Sequence, residues 1–148
     1  MKGGGGEDAE QAEARALLAD LLNNPVCTVR YDPDVPCMTV IWKRPATSAQ
    51  LRFVGERLVE LIREHKVSKI LGDDTALPLI EADDQLWFAD DWAPRAAAAG
   101  LRVAANKSPE SHLGRLAVER IKQRQRQLTI RSFEHFEQAR RWLKGVRT

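Results

Sequence analysis

The sequence predicts an α/β sandwich: a mostly parallel sheet of four to five strands, entered through an N-terminal antiparallel hairpin, with helices packed on it. Three observations carry that expectation. Segments of helical and strand periodicity alternate along most of the 148 residues, the order from which parallel sheets with crossover helices are built. Two runs of β-branched and aromatic residues flank the turn-forming segment Asp32-Pro33-Asp34-Val35-Pro36. Finally, the apolar stretch Lys69-Ile70-Leu71-Gly72 stops at Asp73-Asp74-Thr75. A buried strand ending this way delivers polar side chains to the sheet edge where ligands of open α/β sheets gather.

The elements follow in order. Met1-Lys2-Gly3-Gly4-Gly5-Gly6 has no core-forming residue and reads as a flexible lead. Glu7 to Leu22 is rich in Ala, Glu and Leu and reads as an accessory helix, with Leu17, Leu18, Leu21 and Leu22 in its last turns. Pro25 ends it, because the residue before a proline avoids the helical region. Residues 1–25 are thus expected to be lead and helix, and 26–146 the α/β domain. Val26 to Tyr31 and Met38 to Trp42 form the hairpin. Thr47 and Gln50 have capping-box spacing, and Leu51, Val54, Leu58, Leu61 and Ile62 recur at helical intervals.

After Thr75 a helix is expected to start at Asp83 or Asp84, acidic residues that suit a helix N-terminus, with Leu86, Trp87 and Trp92 in it and a kink or restart at Pro94. Gly100 closes it. Leu101 to Ala105 is the next strand. Ser108-Pro109 reads as an N-cap with proline at the first helical position. Leu113, Leu116, Ala117 and Ile121 mark that helix's apolar stripe. Leu128 to Phe133 is the last strand and His135 to Lys144 the last helix.

Composition narrows the function classes. Hydrophobic residues at 43% and charged residues at 30% are ordinary for one globular domain. No apolar run approaches the roughly 18 residues of a membrane span, and the N-terminus lacks the apolar core of a secretory signal. A cytoplasmic location is therefore expected. Cys27 and Cys37 match neither a disulfide framework nor a zinc spacing, so reduced packing cysteines are expected. The net charge of +2 hides an asymmetry: seven carboxylates and no Lys or Arg lie between Asp73 and Asp91, and twelve Lys or Arg against four Glu from Arg102 onward. Arg120, Lys122, Arg124 and Arg126 form a basic run, but without interleaved aromatics for base stacking it reads as a solvated helix end rather than a nucleic-acid interface.

Tyr31-Asp32, Val40-Ile41-Trp42, Ile70-Leu71-Gly72-Asp73 and Asp83-Asp84-Gln85-Leu86-Trp87 stand in a characteristic order, followed by Asp91-Trp92-Ala93-Pro94-Arg95. Ala99-Gly100-Leu101, Phe133, Ala139 and Trp142-Leu143 complete the set. In the order and spacing of these residues the chain resembles the STAS-like domains of the SpoIIAA-like fold, particularly the small bacterial STAS/SEC14 domain proteins of unknown function, over roughly residues 26–146. The resemblance implies a superhelical α/β core of four or five strands and a non-enzymatic regulatory or binding role. In the anti-sigma-factor antagonists of the wider superfamily a serine after the third strand is phosphorylated. The matching neighbourhood here is Asp73-Asp74-Thr75, which departs from that pattern: it holds no Asp-Ser-Gly, and Thr75 is its only hydroxyl.

The candidate site residues are Asp73, Asp74, Thr75, Trp87 and Trp92. One of the two carboxylates reads as capping the following turn and the other as solvated; Asp73 is taken as structural, with Asp74 and Thr75 left for contact. Thr75 is the candidate phosphorylation site, where a phosphate would act mainly by repelling the two carboxylates. Paired carboxylates suit a hard cation, but capping and solvation explain them more simply, so no metal or other cofactor is expected. Trp87 and Trp92 lie five apart, so one need face inward; Trp87 and Trp142 are expected in the core and Trp92 at an exposed site or interface. His65, His112 and His135 lack metal-ligand or triad spacing, and neither a nucleophile elbow nor a glycine-rich phosphate loop is present. The expectation is therefore a non-catalytic interaction module that binds an unidentified protein partner through Asp73–Thr75 and Trp92, with a homodimer as one way to cover the N-terminal leucines. The alternative is a small-molecule or lipid sensor using an apolar tryptophan-containing pocket. A closed apolar cavity of about 300 Å3 or more beside Trp87 and Trp92 would favour the sensor, and a flat exposed patch the partner.

Overall fold

The computed structural model of the chain describes residues 19–148. Six strands form one mixed sheet in sequential order: β1 (Asp20–Asn23), β2 (Cys27–Asp32), β3 (Cys37–Trp42), β4 (Lys69–Asp73), β5 (Val103–Lys107) and β6 (Thr129–Phe133). The first three pair antiparallel, and β3 through β6 pair parallel. The mostly parallel sheet with an N-terminal hairpin is as the sequence predicts. The strand count is one more than expected, because Asp20–Asn23 extends along β2 instead of ending a helix. Leu21 and Leu22 thereby reach the core as strand residues, and Asn24 closes the turn by accepting the amides of Val26 and Cys27 at 2.9 Å each. The rest of the expected N-terminal helix, from Glu7 to Leu18, lies outside the described residues.

The first helix, α1 (Ser48–His65), starts at the capping box read from the sequence: Thr47 Oγ1 accepts the Gln50 amide at 3.2 Å and Gln50 Oε1 accepts the Thr47 amide at 2.9 Å. It ends where Lys66 turns left-handed, with φ of 54°. Replacing Thr47 with alanine is expected to cost about 1 kcal/mol in chemical denaturation. An unchanged midpoint would show that α1 is held by packing alone.

The crossover from β4 to β5 is α2 (Ala82–Trp87), a π-turn (Phe88–Trp92) and α3 (Ala93–Ala99). The π-turn has a local cause in Pro94, which has no amide hydrogen and crowds the carbonyl four residues before it. The wider turn accommodates this, with the Ala93 amide reaching back to the Phe88 carbonyl. Gly100, at φ of 125°, closes α3 as expected. The crossover to β6 is α4 (His112–Arg124), and the chain ends in α5 (Phe136–Gly145).

Two expected caps are corrected. Helix α2 starts one residue before Asp83 and has no side-chain cap, because Asp84 turns inward to other partners. Helix α4 is capped by Ser111, whose Oγ accepts the Gly114 amide at 2.9 Å, not by Ser108. Ser108 is still held to the sheet through its amide, which donates to the Phe133 carbonyl. The strand expected at Leu101–Ala105 accordingly runs two residues later.

Side chains alternate across the sheet, so consecutive residues of a strand serve different cores. Val40, Trp42 and Ile70 pack with α1, α3 and α4, whereas Leu71, Val103 and Ala105 pack with Ala139 and Leu143 of α5. Sequential strand order with crossovers of one hand places the connecting helices on one face. Helix α5 connects to no further strand and covers the other. There the buried Lys69 Nζ donates to the Leu143 carbonyl at 2.7 Å, putting a cation at a helix C-terminus.

Candidate functional site

The helix-covered face of the sheet has a weak spot at its centre. Alternation sends Val40 and Trp42 of β3, Ile70 and Gly72 of β4, Ala104 and Asn106 of β5, and Ile130 and Ser132 of β6 toward α1, α3 and α4. Gly72 and Ala104 are the small members of that set and sit on adjacent strands. The space they leave is a cavity of about 170 Å3, roofed by Leu51, Leu58, Phe88, Trp92, Val118 and Ile121. The space is a half-open pocket at the strand ends, almost wholly apolar in its lining.

One ionisable group of the opening Asp-Asp-Thr stretch enters the cavity wall. Asp74 follows Ile70 and Gly72 in the same alternation and lines the cavity. Its Oδ2 accepts from Asn106 Nδ2 at 2.8 Å, and Asn106 Oδ1 accepts from Ser132 Oγ at 2.7 Å. Lys122 Nζ, held by Glu119 at 2.8 Å, lies 3.5 Å from the same hydroxyl. Burial among apolar walls, reinforced by the like charge of Asp73 and opposed by the Asn106 hydrogen bond and Lys107, pushes the Asp74 carboxyl up from 3.8 to about 6. A titratable group so perturbed, in an apolar cavity, marks a candidate functional site.

Its neighbours in sequence are differently placed. Asp73 Oδ1 accepts both the Thr75 amide, at 3.1 Å, and the Thr75 hydroxyl, at 2.5 Å, which closes a tight turn. Asp73 therefore has the capping role read from the sequence, and the Thr75 hydroxyl is engaged by it. Among the described residues no group of three or more His, Cys, Asp or Glu side chains is arranged to hold a metal ion.

Trp87 and Trp92 are both half-buried, neither in the core nor fully at the surface as expected of them. Trp92, expected at the surface, turns inward to line the cavity, and its Nε1 donates to the Gly55 carbonyl of α1 at 2.7 Å. Phe88 meets it edge-on, with ring centroids 5.8 Å apart. Trp87, expected in the core, lies half-buried over α1 between Arg52 and Arg95, whose guanidinium carbons are 5.2 and 5.8 Å from its ring centroid. Gly55 makes this close seat possible, since a Cβ there would stand 2.9 Å from the Trp87 ring. Trp142 is half-buried, packed against Phe133 beside α5.

Sequence reasoning missed Gly72, Ala104, Asn106, Ser132 and Lys122. A signal for the first two was present as small residues within apolar strands, which mark a close approach or a gap. Two of the four residues of the basic run are paired: Arg124 forms a two-pronged ion pair with Asp90, at 2.7 and 2.8 Å, and Lys122 turns to Glu119. Both cysteines are buried, which pushes the Cys27 thiol up to about 12 and the Cys37 thiol to about 11, so neither is a reactive thiolate. Among the described residues no helix is long and apolar enough to cross a membrane. Compared with known proteins, the sequence matches no family model, and no curated protein shows significant similarity to it.

Proposed function

We propose that this chain is a non-catalytic regulatory domain of STAS-like fold that senses a small, largely apolar molecule in the cavity between its sheet and helix layer. The fold reading is supported by the sequential strand order and by the three consecutive parallel strand–helix–strand units from β3 to β6, added to the residue pattern of the sequence. The observation that carries the functional reading is the cavity itself, floored by Gly72 and Ala104 and walled by Phe88 and Trp92. At about 170 Å3, half-open and lined by Trp92 but not Trp87, it does not meet the measure of a closed cavity of about 300 Å3 beside both tryptophans and is too small for a lipid or drug-sized ligand. An apolar cavity of roughly 150 Å3 takes up benzene, so the fitting ligand is a compact body of that scale.

The test is an amide and indole NMR titration with toluene. Saturable shifts are expected at Gly72, Ala104 and the Trp92 indole. Ala104→Leu, which places three more carbons in the void, is expected to weaken binding by at least about tenfold, or about 1.4 kcal/mol. Shifts scattered over the surface and indifferent to Ala104→Leu would instead favour a second reading, the protein-interaction module. That reading is supported by the exposed Leu79, Leu86, Leu113 and Leu116 around α2 and α4.

A further inference from the structure

We infer that the ligand of this cavity is a small apolar amine, whose ammonium group pairs with Asp74 while its hydrocarbon body lies against Phe88 and Trp92. The inference rests on the cavity being a binding site and adds the chemical class of what enters it.

The polar groups in the wall are few, and most are already engaged. Gln125 accepts the Leu128 amide and donates to the Leu128 carbonyl, both at 2.8 Å. Asn106 is held between Asp74 and Ser132, and Lys122 between Glu119 and Ser132. Asp74 differs, because Asn106 occupies its Oδ2 while no side chain or amide of the described residues donates to its Oδ1. The remaining lining is hydrocarbon and aromatic. Asp74 is half-buried and its Oδ1 keeps accessible surface, so that oxygen is free to pair with a ligand bringing a cation with N–H donors, where a neutral body would leave its charge unmatched. A ligand anion would meet Asp74 with Asp73 behind it.

The charged and titratable groups around Asp74 bear on how binding depends on pH. From the strands these are Asp73, Lys107 and the Cys27 thiol, which burial keeps neutral by pushing it up to about 12. From α4 there is Lys122, paired with Glu119. Burial pushes the Asp74 carboxyl up to about 6, so an ammonium ligand binds the form that predominates above that pH. Its affinity is expected to fall about tenfold between about pH 7.5 and pH 5, as protonation of Asp74 competes.

Benzylamine, benzyl alcohol and benzoate share one body and differ in the head group, so their dissociation constants at both pH values test the assignment. In the wild-type chain benzylamine is expected to bind at least about tenfold tighter than benzyl alcohol at the higher pH, a difference of about 1.4 kcal/mol, and benzoate weakest. Asp74→Asn, which keeps an oxygen for Asn106, is expected to remove the preference for the amine while retaining the alcohol. The pH series on the wild-type chain needs no variant. Equal binding of amine and alcohol, or an amine preference that survives Asp74→Asn and ignores pH, would overturn the ligand class and leave the cavity reading standing. If none of the three, nor toluene, bound in the cavity, both readings would fall.

Discussion

Replacing Asp74 with asparagine is expected to stabilise the domain by about 1 to 2 kcal/mol near pH 7.5, an unusual direction for a change beside the core, the half-buried carboxylate keeping part of its hydration. The carboxyl is raised from 3.8 to about 6 on folding, chiefly by desolvation against the cavity walls. A group whose folded value lies above its unfolded one favours the folded state when protonated. That contribution is complete below 3.8 and is lost as the pH rises through about 6. The wild type therefore gains stability as the pH falls from neutrality toward 4, while Asp74→Asn lacks this component. Urea denaturation of both chains from pH 4 to 8 measures it. The gap between them should close as the pH falls through 6. A gap of constant size, or a variant less stable at pH 7.5, would mean that Asp74 is solvated and that the cavity is not the apolar environment described here.

The opposite sign and a larger size are expected at Arg52. Asp84 is only 1% exposed and is tied to the Ser48 hydroxyl at 2.6 Å and to Arg52 Nε at 2.9 Å, while its Oδ2 has no hydrogen-bond partner. Among the described residues Arg52 is the one cation paired with it, and it also lies over the Trp87 ring. Arg52→Ala would leave a buried carboxylate with a single hydroxyl donor and is expected to cost about 3 kcal/mol. Asp84→Asn in the Arg52→Ala background should recover part of that loss, because the residual penalty is the uncompensated charge. If Arg52→Ala cost under about 1 kcal/mol, in the range of exposed ion pairs, Asp84 would have to be reached by water or another cation. This pair joins α1 to α2, so it also holds the crossover that roofs the cavity.

Local signals in the sequence were reliable where local physics decides the outcome. The capping box of Thr47 and Gln50, the turn around Pro33 and the end of β4 at Asp73 each depend on residues within a few positions of one another. The misreadings arose where distant partners or an irregular turn intervened. Leu21 and Leu22 sit beside good helix formers, but Asp20–Asn23 finds the open edge of β2, and pairing with a strand overrides propensity. Asp84 has the composition of a helix cap, yet Ser48 and Arg52, more than thirty residues earlier, draw it inward.

The tryptophans show the limit most clearly. Five residues apart on a regular α-helix, Trp87 and Trp92 point about 140° apart, so the sequence could say that one faces in and not which. The choice was made by the seat that Gly55 provides on α1, with a carbonyl placed for the Trp92 indole, and by the π-turn that brings Phe88 to the same side.

By itself, then, the sequence determined the alternating α/β architecture, the hairpin, the best-capped helix and the delivery of Asp73, Asp74 and Thr75 to the strand end, because each depends on periodicity or on contacts between near neighbours. Only the tertiary structure decided what those three residues face. Asp73 and Thr75 close a turn on each other. Asp74, one step along the alternation, reaches a cavity that exists because Gly72 and Ala104 become neighbours across β4 and β5 and α1, α3 and α4 do not fill the space above them. A void belongs to no single stretch of chain, since it is the difference in volume between elements brought together from far apart.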